Sequence, residues 1–306
     1  MTRTWRGATA ALLVAVLTCV AAVPAAADTD HANDQVIHAD HTLHTLATVA
    51  VDAQQGQTLH VTGRLQAHDA QARMLAEIRL RCTAGSSGDL WTTQTLFRGQ
   101  ARAVLTARYL FTAPSSGSYD CQLLVRSFIP GGGSSPDAGF RVEGDGTYIR
   151  VDPVAAWATQ RFQASERLVT ARRAYDVTVM DFTAPAGVDR FTATSDVELT
   201  NCYGAARICE TDPSNGDRSV VGSRLQVMQR AAGGGYCRVT SWPASGLDRT
   251  EISWAVHHKK NYHRVPVVVS TAAGCTRSFR VKTYLRWLAG NDMMVERAPY
   301  SNVYVH

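Results

Sequence analysis

Six cysteines constrain the fold of this chain more than any other feature. They follow a seventh, Cys19, and lie at Cys82, Cys121, Cys202, Cys209, Cys237 and Cys275. An even number of cysteines in an exported chain indicates disulfides. The first two are 39 residues apart, the last two are 38 apart, and the middle pair encloses a short loop. The near-equal long spans predict two domains, each closed by one long-range bridge.

The sequence alone leaves the pairing open, because six cysteines can combine in many ways. A metal site is the alternative, and we disfavour it because the chain has no C-x-x-C pair. In the chain-entropy model, a bridge that closes about 40 residues stabilises by about 4 kcal/mol. If all six sulfurs are paired, no thiol nucleophile is left.

The first 27 residues predict a secretory signal peptide. Arg3 and Arg6 precede an apolar run over residues 8–23, and three alanines at 25–27 offer a cleavage site. This run is too short for a membrane span, and no later stretch has the roughly 18 apolar residues of one. We therefore expect a secreted, extracellular protein. Removing Arg3 and Arg6 lowers the formal net charge from +5 to +3, which is too small to indicate a nucleic-acid partner.

Alternating side chains predict strands around the first long span. Apolar residues occupy every second position, and charged or polar residues lie between them; the apolar positions are Ala76, Ile78, Leu80, Cys82, Tyr119, Cys121, Leu123 and Val125. This period is typical of strands with one buried face. We therefore predict an all-β fold in which Cys82 and Cys121, on facing sheets, join a sandwich across its core.

Tyr119 follows the turn sequence PSSGS and stands two residues before Cys121. This is the place of the tyrosine corner in immunoglobulin-like domains, where the hydroxyl bonds back to the preceding turn. With Trp91 as the core tryptophan, residues 76–125 resemble an immunoglobulin-like β-sandwich. The spacing between the cysteines is shorter than in that family and leaves the strand order open. An unrelated disulfide-bonded β-domain is the alternative.

These patterns predict two tandem disulfide-stapled β-sandwich domains of immunoglobulin-like type. We divide the chain into a signal peptide at 1–27, a flexible N-terminal arm at 28–45, a first sandwich at 46–151, a connector at 152–175 and a second sandwich at 176–306. Asp152 and Pro153 are typical of a helix start, so a short connector helix is expected. Pro266, inside an apolar run, predicts an edge strand or a bulge.

Three histidines in the predicted arm form one candidate site, at His38, His41 and His44. Imidazoles at such spacing can bind Zn²⁺ or Cu²⁺. A strand or a helix would spread these three over different faces, however. We therefore predict no metal and no cofactor, and assign the histidines to an arm that contacts a partner.

The segment HHKKNYHR at 257–264 is the strongest basic cluster. Lys259, Lys260 and Arg264 are candidates for binding a polyanion such as a cell-wall polymer. Because the cluster lies between two apolar runs, we favour a solvated hairpin tip as the alternative. If the chain is a protease inhibitor, Arg207 in the loop CYGAARIC is the candidate residue that contacts the protease. The alternative, which we favour, is a structural loop closed by a disulfide.

No motif in the sequence indicates catalysis. The chain lacks the G-x-S-x-G, H-E-x-x-H and phosphate-loop patterns. We therefore expect a non-catalytic protein whose favoured partner is another secreted protein. Cell-wall polysaccharide is the first alternative partner, with Trp242 or Trp254 stacking on sugar rings. A secreted protease inhibitor is the second.

The plan of two domains behind a leading arm is similar to that of adaptor subunits in secreted antibacterial umbrella toxin particles. The plan carries this resemblance, and no motif does. It implies a structural component of an extracellular complex.

Overall fold

A computed structural model describes residues 27–82, 89–131, 133–170, 173–201, 218–253 and 258–306. These residues form 21 strands, all paired antiparallel, and no helix, so none of them belongs to a helix that could span a membrane. The strands are β1 (Asp28–His31), β2 (Gln35–Ala39), β3 (His44–Ala53), β4 (Thr58–His68), β5 (Met74–Cys82), β6 (Leu90–Leu96), β7 (Ala103–Thr112), β8 (Gly117–Phe128), β9 (Ser135–Val142), β10 (Tyr148–Pro153), β11 (Thr159–Phe162), β12 (Arg167–Val169), β13 (Ala174–Thr183), β14 (Arg190–Asn201), β15 (Arg218–Ala231), β16 (Tyr236–Trp242), β17 (Asp248–Ser253), β18 (His258–Val268), β19 (Cys275–Gly290), β20 (Met293–Val295) and β21 (Asn302–Val305).

Strands β1 to β10 form the first half of the molecule, which consists of two sheets. One sheet has the order β1-β10-β4-β9-β2, with β7 also paired to β4. The other has the order β3-β8-β5-β6. Apolar side chains of both sheets, among them Leu65, Ile78 and Phe140, form one buried cluster. Removing these faces from water holds the two sheets together.

Strands β11 to β21 form the second half, which is also a pair of sheets. One sheet has the order β11-β21-β14-β20-β12, with β18 also paired to β14. The sheet that faces it has the order β13-β19-β15-β16, with β17 also paired to β15. Two apolar clusters lie between them, one around Phe191 and Phe279 and one around Leu199 and Leu285. The all-β prediction is confirmed. Pro266 lies in β18, which pairs only with β14 among the described strands, as expected for an edge.

Both disulfides of the described residues lie within a sheet. Cys82 and Cys121 are directly opposite each other on the neighbouring strands β5 and β8, with their Cα atoms 3.9 Å apart. Cys237 on β16 and Cys275 on β19 are joined past the end of β15, which lies between those strands. The two long-range pairings are therefore as expected, but the bridge across facing sheets is wrong. Alternation fixes the face of a cysteine and leaves open whether its partner lies in the same sheet.

The expected bond from Tyr119 back to the preceding turn is present, whereas the expectation that Trp91 is a core tryptophan is wrong. The buried Tyr119 donates its hydroxyl to the carbonyl of Ser115 and accepts the Ser115 N–H at 3.2 Å. Trp91 lies outside the first core. Its ring is covered by the guanidinium of Arg79, 3.7 Å from the ring centroid, and meets Tyr300 of the second half edge-on.

The segment predicted as a flexible arm belongs to the first half. Strand β1 pairs with β10, and β2 pairs with β9. The apolar side chains of Ala32, Ile37 and Ala39 are buried. These three alanine and isoleucine residues lie among many polar residues, so the segment has no clear alternating pattern. Its strands are defined by their pairing with β9 and β10.

The predicted connector helix is also wrong for the part of 152–175 that the structure describes. Asp152 and Pro153 end strand β10, and β11 and β12 join the second half through β21 and β20. An Asp-Pro pair is a local signal. Here the N–H of Val154 donates to the Thr58 carbonyl, and the residues of β11 pair with the distant strand β21.

The two halves meet through buried polar groups. The fully buried Glu198 on β14 accepts hydrogen bonds from the Thr92 hydroxyl at 2.9 Å and the Thr93 N–H at 3.0 Å. Nearby, Arg108 of β7 lies 3.3 Å from a carboxylate oxygen of the buried Asp196. Groups of this kind are stable away from water only when they are paired. The pairing fixes the relative position of the halves and shapes a cleft between them.

Candidate functional site

The structure does not bring the three arm histidines together. His38 lies on β2 in one sheet, and His44 lies on β3 in the other. His41 lies in the turn between them, with a left-handed φ of 68°, and stacks on Phe128 with centroids 5.4 Å apart. No group of three His, Cys, Asp or Glu side chains within the described ranges is arranged to hold a metal ion.

The described part of the basic cluster lies in strand β18 and not at a hairpin tip. Strand β18 pairs with β14 along its length, so its side chains alternate between two environments. Lys259 and Arg264 are exposed. The ammonium of Lys260 lies between the halves and donates to the Trp91 carbonyl at 3.3 Å, and its burial lowers the pKa of Lys260 despite the nearby Asp196 and Glu198. Lys260 is thus engaged within the protein.

Several candidates lie outside the described residues. These are Cys202, Arg207, Cys209 and Trp254, so the protease-inhibitor alternative stays a prediction. Trp242 is described and is 42% exposed at the end of β16. Its ring lies beside that of His263, with centroids 5.0 Å apart.

Strand β16 is the most exposed long strand of the second half. It pairs with β15 along one edge, and its other edge has no partner among the described strands. Three large apolar side chains on it are exposed, namely Tyr236 at 42%, Val239 at 53% and Trp242 at 42%. Edge strands in monomeric proteins are normally protected by charges, prolines or covering loops. An edge strand with three exposed apolar side chains is therefore a candidate contact surface.

A shallow groove of about 430 Å³ lies on the sheet that contains β16. Its lining is mostly cationic, aromatic or aliphatic: Arg224, Gln226, Gly246, Leu247, Tyr284, Arg286 and Leu288. Within the described ranges, the guanidinium groups of the exposed Arg286 and of the exposed Arg238 of β16 have no hydrogen bond or ion pair. This surface therefore favours acidic groups on whatever it contacts.

A second cavity, which we call the inter-half cleft, has a volume of about 420 Å³. Its cationic lining residues are Arg108, Arg150 and Arg264. The guanidinium of Arg108 lies 3.8 Å from the centre of the Tyr262 ring, and that of Arg150 lies 2.6 Å from the carboxylate of Asp152. The guanidinium group of Arg264 has no hydrogen bond or ion pair in the part of the chain that the structure describes.

Two histidines form one wall of the inter-half cleft. The Nε2 atom of His60 is 3.1 Å from the hydroxyl of Tyr304, and its ring stacks on His306 with centroids 5.0 Å apart. Burial lowers the pKa of His60 to about 4, and the neighbouring His306 acts in the same direction. Burial also lowers the pKa of His306. Both imidazoles are thus neutral near pH 7, and the arginines supply the positive charge.

A serine, a histidine and an aspartate come together near β16, a cluster that the sequence analysis missed. The Oγ atom of Ser223 is 2.7 Å from Nε2 of His263, whose Nδ1 is 3.9 Å from a carboxylate oxygen of Asp248. Ser223 is fully buried, and its Oγ also contacts the Asn261 amide at 3.1 Å. A nucleophile must reach its substrate. We therefore assign this cluster to the structure of the core.

The fold defines an all-β protein of two sheet pairs, with a disulfide in each. No family model matches the chain, and no curated protein matches it. Among solved structures, infectious bursal disease virus, Gx strain, is 8% identical over 92% of this chain and 72% of that chain, with a TM-score of 0.29.

Two other structures are similarly remote. The ANX2 ectodomain from Arabidopsis thaliana is 7% identical over 91% of this chain and 88% of that chain, with a TM-score of 0.22. The insecticidal delta-endotoxin Cry8Ea1 from Bacillus thuringiensis is 7% identical over 92% of this chain and 52% of that chain, with a TM-score of 0.23. TM-scores this low carry nothing about function, and the immunoglobulin-like and adaptor resemblances stay predictions.

Proposed function

We propose that this chain is an exported, non-catalytic binding protein that accepts a strand of another secreted protein on the free edge of β16. The single observation that carries the proposal is the exposure of this strand, with Tyr236, Val239 and Trp242 at its surface. An open sheet edge presents backbone N–H and C=O groups that a partner strand can satisfy. Alternate side chains of the two strands then determine which partner fits.

Two features support this role for β16. The disulfide from Cys237 to Cys275 ties the start of the strand to β19, so less flexibility is lost when a partner binds. The exposed guanidinium groups of Arg238 and Arg286 favour an acidic partner segment. Disulfides are typical of oxidising compartments and agree with an extracellular location. An adaptor within an extracellular complex is the role that we assign.

The proposal is tested by capturing partners from the culture supernatant of the producing organism with three tagged baits. These are the wild-type protein, Val239→Lys and Val104→Lys. Val104 is the matched control, because it is 41% exposed on β7, which pairs only with β4 among the described strands. A lysine at a sheet edge discourages strand addition. We expect the wild type and Val104→Lys to capture the same protein and Val239→Lys to lose it. Recovery of the bait alone, or equal capture by all three baits, would contradict the proposal.

Binding of cell-wall polysaccharide is a second candidate, favoured by the exposure of Trp242. An exposed indole offers a flat apolar face on which a sugar ring can stack. In this case the protein is retained on purified cell-wall polysaccharide, and Trp242→Ala abolishes the retention without unfolding the protein. Absence of retention in the wild type removes this candidate.

A further inference from the structure

We infer that the inter-half cleft is a binding site for a phosphate group, carried by a small molecule or by the repeat unit of a polymer. This inference is independent of the proposed partner site, because the cleft is lined from β4, β7, β10, β14, β18 and β21 and by no residue of β16. Binding sites commonly lie where two structural units meet, and a volume of about 420 Å³ suits a small ligand.

The charges of the cleft favour an anion. Among the lining residues that the structure describes, three have guanidinium groups, namely Arg108, Arg150 and Arg264, and one, Asp152, is acidic. Guanidinium groups bind phosphate through paired N–H donors. A phosphate has more acceptor oxygens than a carboxylate, so it can accept from more of these guanidinium donors.

The arginines differ in how they are held. Arg150 is oriented by its ion pair with Asp152, and Arg108 by Asp196 and by the ring of Tyr262. Donors held in place lose little freedom when a ligand binds. Arg264 is exposed and has no such pairing within the described ranges, so its full donor set is available to a ligand. We assign Arg264 the largest share of the binding.

The aromatic walls fit the body to which a phosphate is attached. Tyr148 and Tyr262 line the cleft beside the arginines, and His60 and His306 form the stacked pair described above. Flat rings of this kind contact the apolar faces of sugars and other small organic groups. The neutral imidazoles accept or donate hydrogen bonds without adding charge.

Calorimetric titration tests the site directly, with inorganic phosphate, glycerol 3-phosphate and poly(glycerol phosphate) as probes. The variant is Arg264→Gln, and the matched control is Arg286→Gln, because both arginines are exposed and lack a partner within the described ranges. Neither guanidinium group makes a hydrogen bond or an ion pair within the described residues, and unchanged thermal unfolding verifies that both variants fold.

We expect the wild type and Arg286→Gln to bind phosphate with equal affinity, and Arg264→Gln to bind at least tenfold more weakly. If the polymer binds more tightly per phosphate group than the two small probes, the ligand of the site is a polymer. If the affinities per phosphate group are equal, the ligand is a small molecule. Both results support the site. Absence of phosphate binding by the wild type, or equal binding by Arg264→Gln, overturns the inference. Val239→Lys leaves phosphate binding unchanged, which separates this result from that of the proposed partner site.

Discussion

The carboxylate of Glu198, in the second half of the chain, accepts a hydrogen bond of 2.9 Å from the hydroxyl of Thr92, in the first half. The two residues are 106 positions apart in sequence and both are buried. The N–H of Thr93 donates to the same carboxylate, and the hydroxyl of Ser301 accepts from the N–H of Glu198. The hydrogen bonds of this buried carboxylate come from both halves of the chain. The contact between the halves therefore contributes to the stability of the folded protein.

Replacement of Thr92 with valine tests this junction. Removing one hydrogen bond to a buried charged group costs about 1.5–3 kcal/mol of unfolding free energy. Thr45→Val is the control, since it makes the same change at an exposed position of β3 and is expected to stay within about 0.5 kcal/mol of the wild type. Chemical denaturation measures both. Equal effects of the two substitutions would contradict a stabilising junction.

The lowered pKa of His60 predicts a loss of stability in acid. Burial holds this pKa at about 4, against about 6.5 for an unfolded histidine. The unfolded chain therefore binds more protons as the pH falls below about 6.5, and the folded state loses stability until the pH reaches about 4. His60→Gln should lose about 2 kcal/mol less than the wild type between about pH 8 and pH 5.

The control for this experiment is His38→Gln, because His38 is exposed on β2. It makes the same change of side chain without removing a buried imidazole. Thermal or chemical unfolding across the pH range provides the measurement. If His60→Gln and the wild type lose the same stability, the imidazole of His60 is not held neutral by its surroundings.

The two described disulfides should differ in their susceptibility to reduction. Cys121 is fully buried, whereas Cys237 is exposed. A reducing thiolate must reach a sulfur atom to attack it. A mild thiol reductant under native conditions should therefore open the bridge between Cys237 and Cys275 first, as seen by alkylation and peptide mapping. The reverse order, or a link from Cys82 to a cysteine beyond residue 200, would contradict the structure.

The assignment of Ser223 to the core predicts that it is chemically inert. Its hydroxyl is buried and contacts both His263 and Asn261. A fluorophosphonate probe should leave Ser223 unmodified in the folded protein, as judged by mass spectrometry. Labelling of Ser223 that is lost in His263→Ala would show instead that a base activates this serine, and the non-catalytic proposal would fail.

Local patterns predicted the parts of the fold that depend on near neighbours. Alternation over β5 identified its buried face, and the spacing of Tyr119 to Cys121 predicted a bond from the hydroxyl to the preceding turn, which Ser115 supplies. The burial of side chains on the opposite face of β5 could not be predicted from this alternation. Glu77 is 2% exposed there, because its carboxylate contacts the guanidinium groups of Arg79 and Arg126 and the hydroxyl of Tyr300 from the second half.

Features that depend on which strands pair could not be predicted from local patterns. The sequence YCRVTSW mixes apolar and polar residues and does not indicate which strands lie beside it. Only the order of strands in the sheet shows that β16 has a free edge. The inter-half cleft draws on His60 and His306, which are far apart in the chain. The basic cluster was visible, but Lys260 and Arg264 lie on the same face of β18. Only the packing of the first half, where the Trp91 carbonyl accepts from Lys260, separates the engaged lysine from the exposed arginine.

Amide hydrogen exchange over residues 236–242, with and without the captured partner protein, tests the central proposal most directly. Backbone N–H groups on the free edge of β16 exchange with solvent, and an added strand would bond them. The account predicts slower exchange in β16 on binding and unchanged exchange in β7, the edge strand that carries the control Val104. Unchanged exchange in β16 in the presence of a bound partner would contradict it.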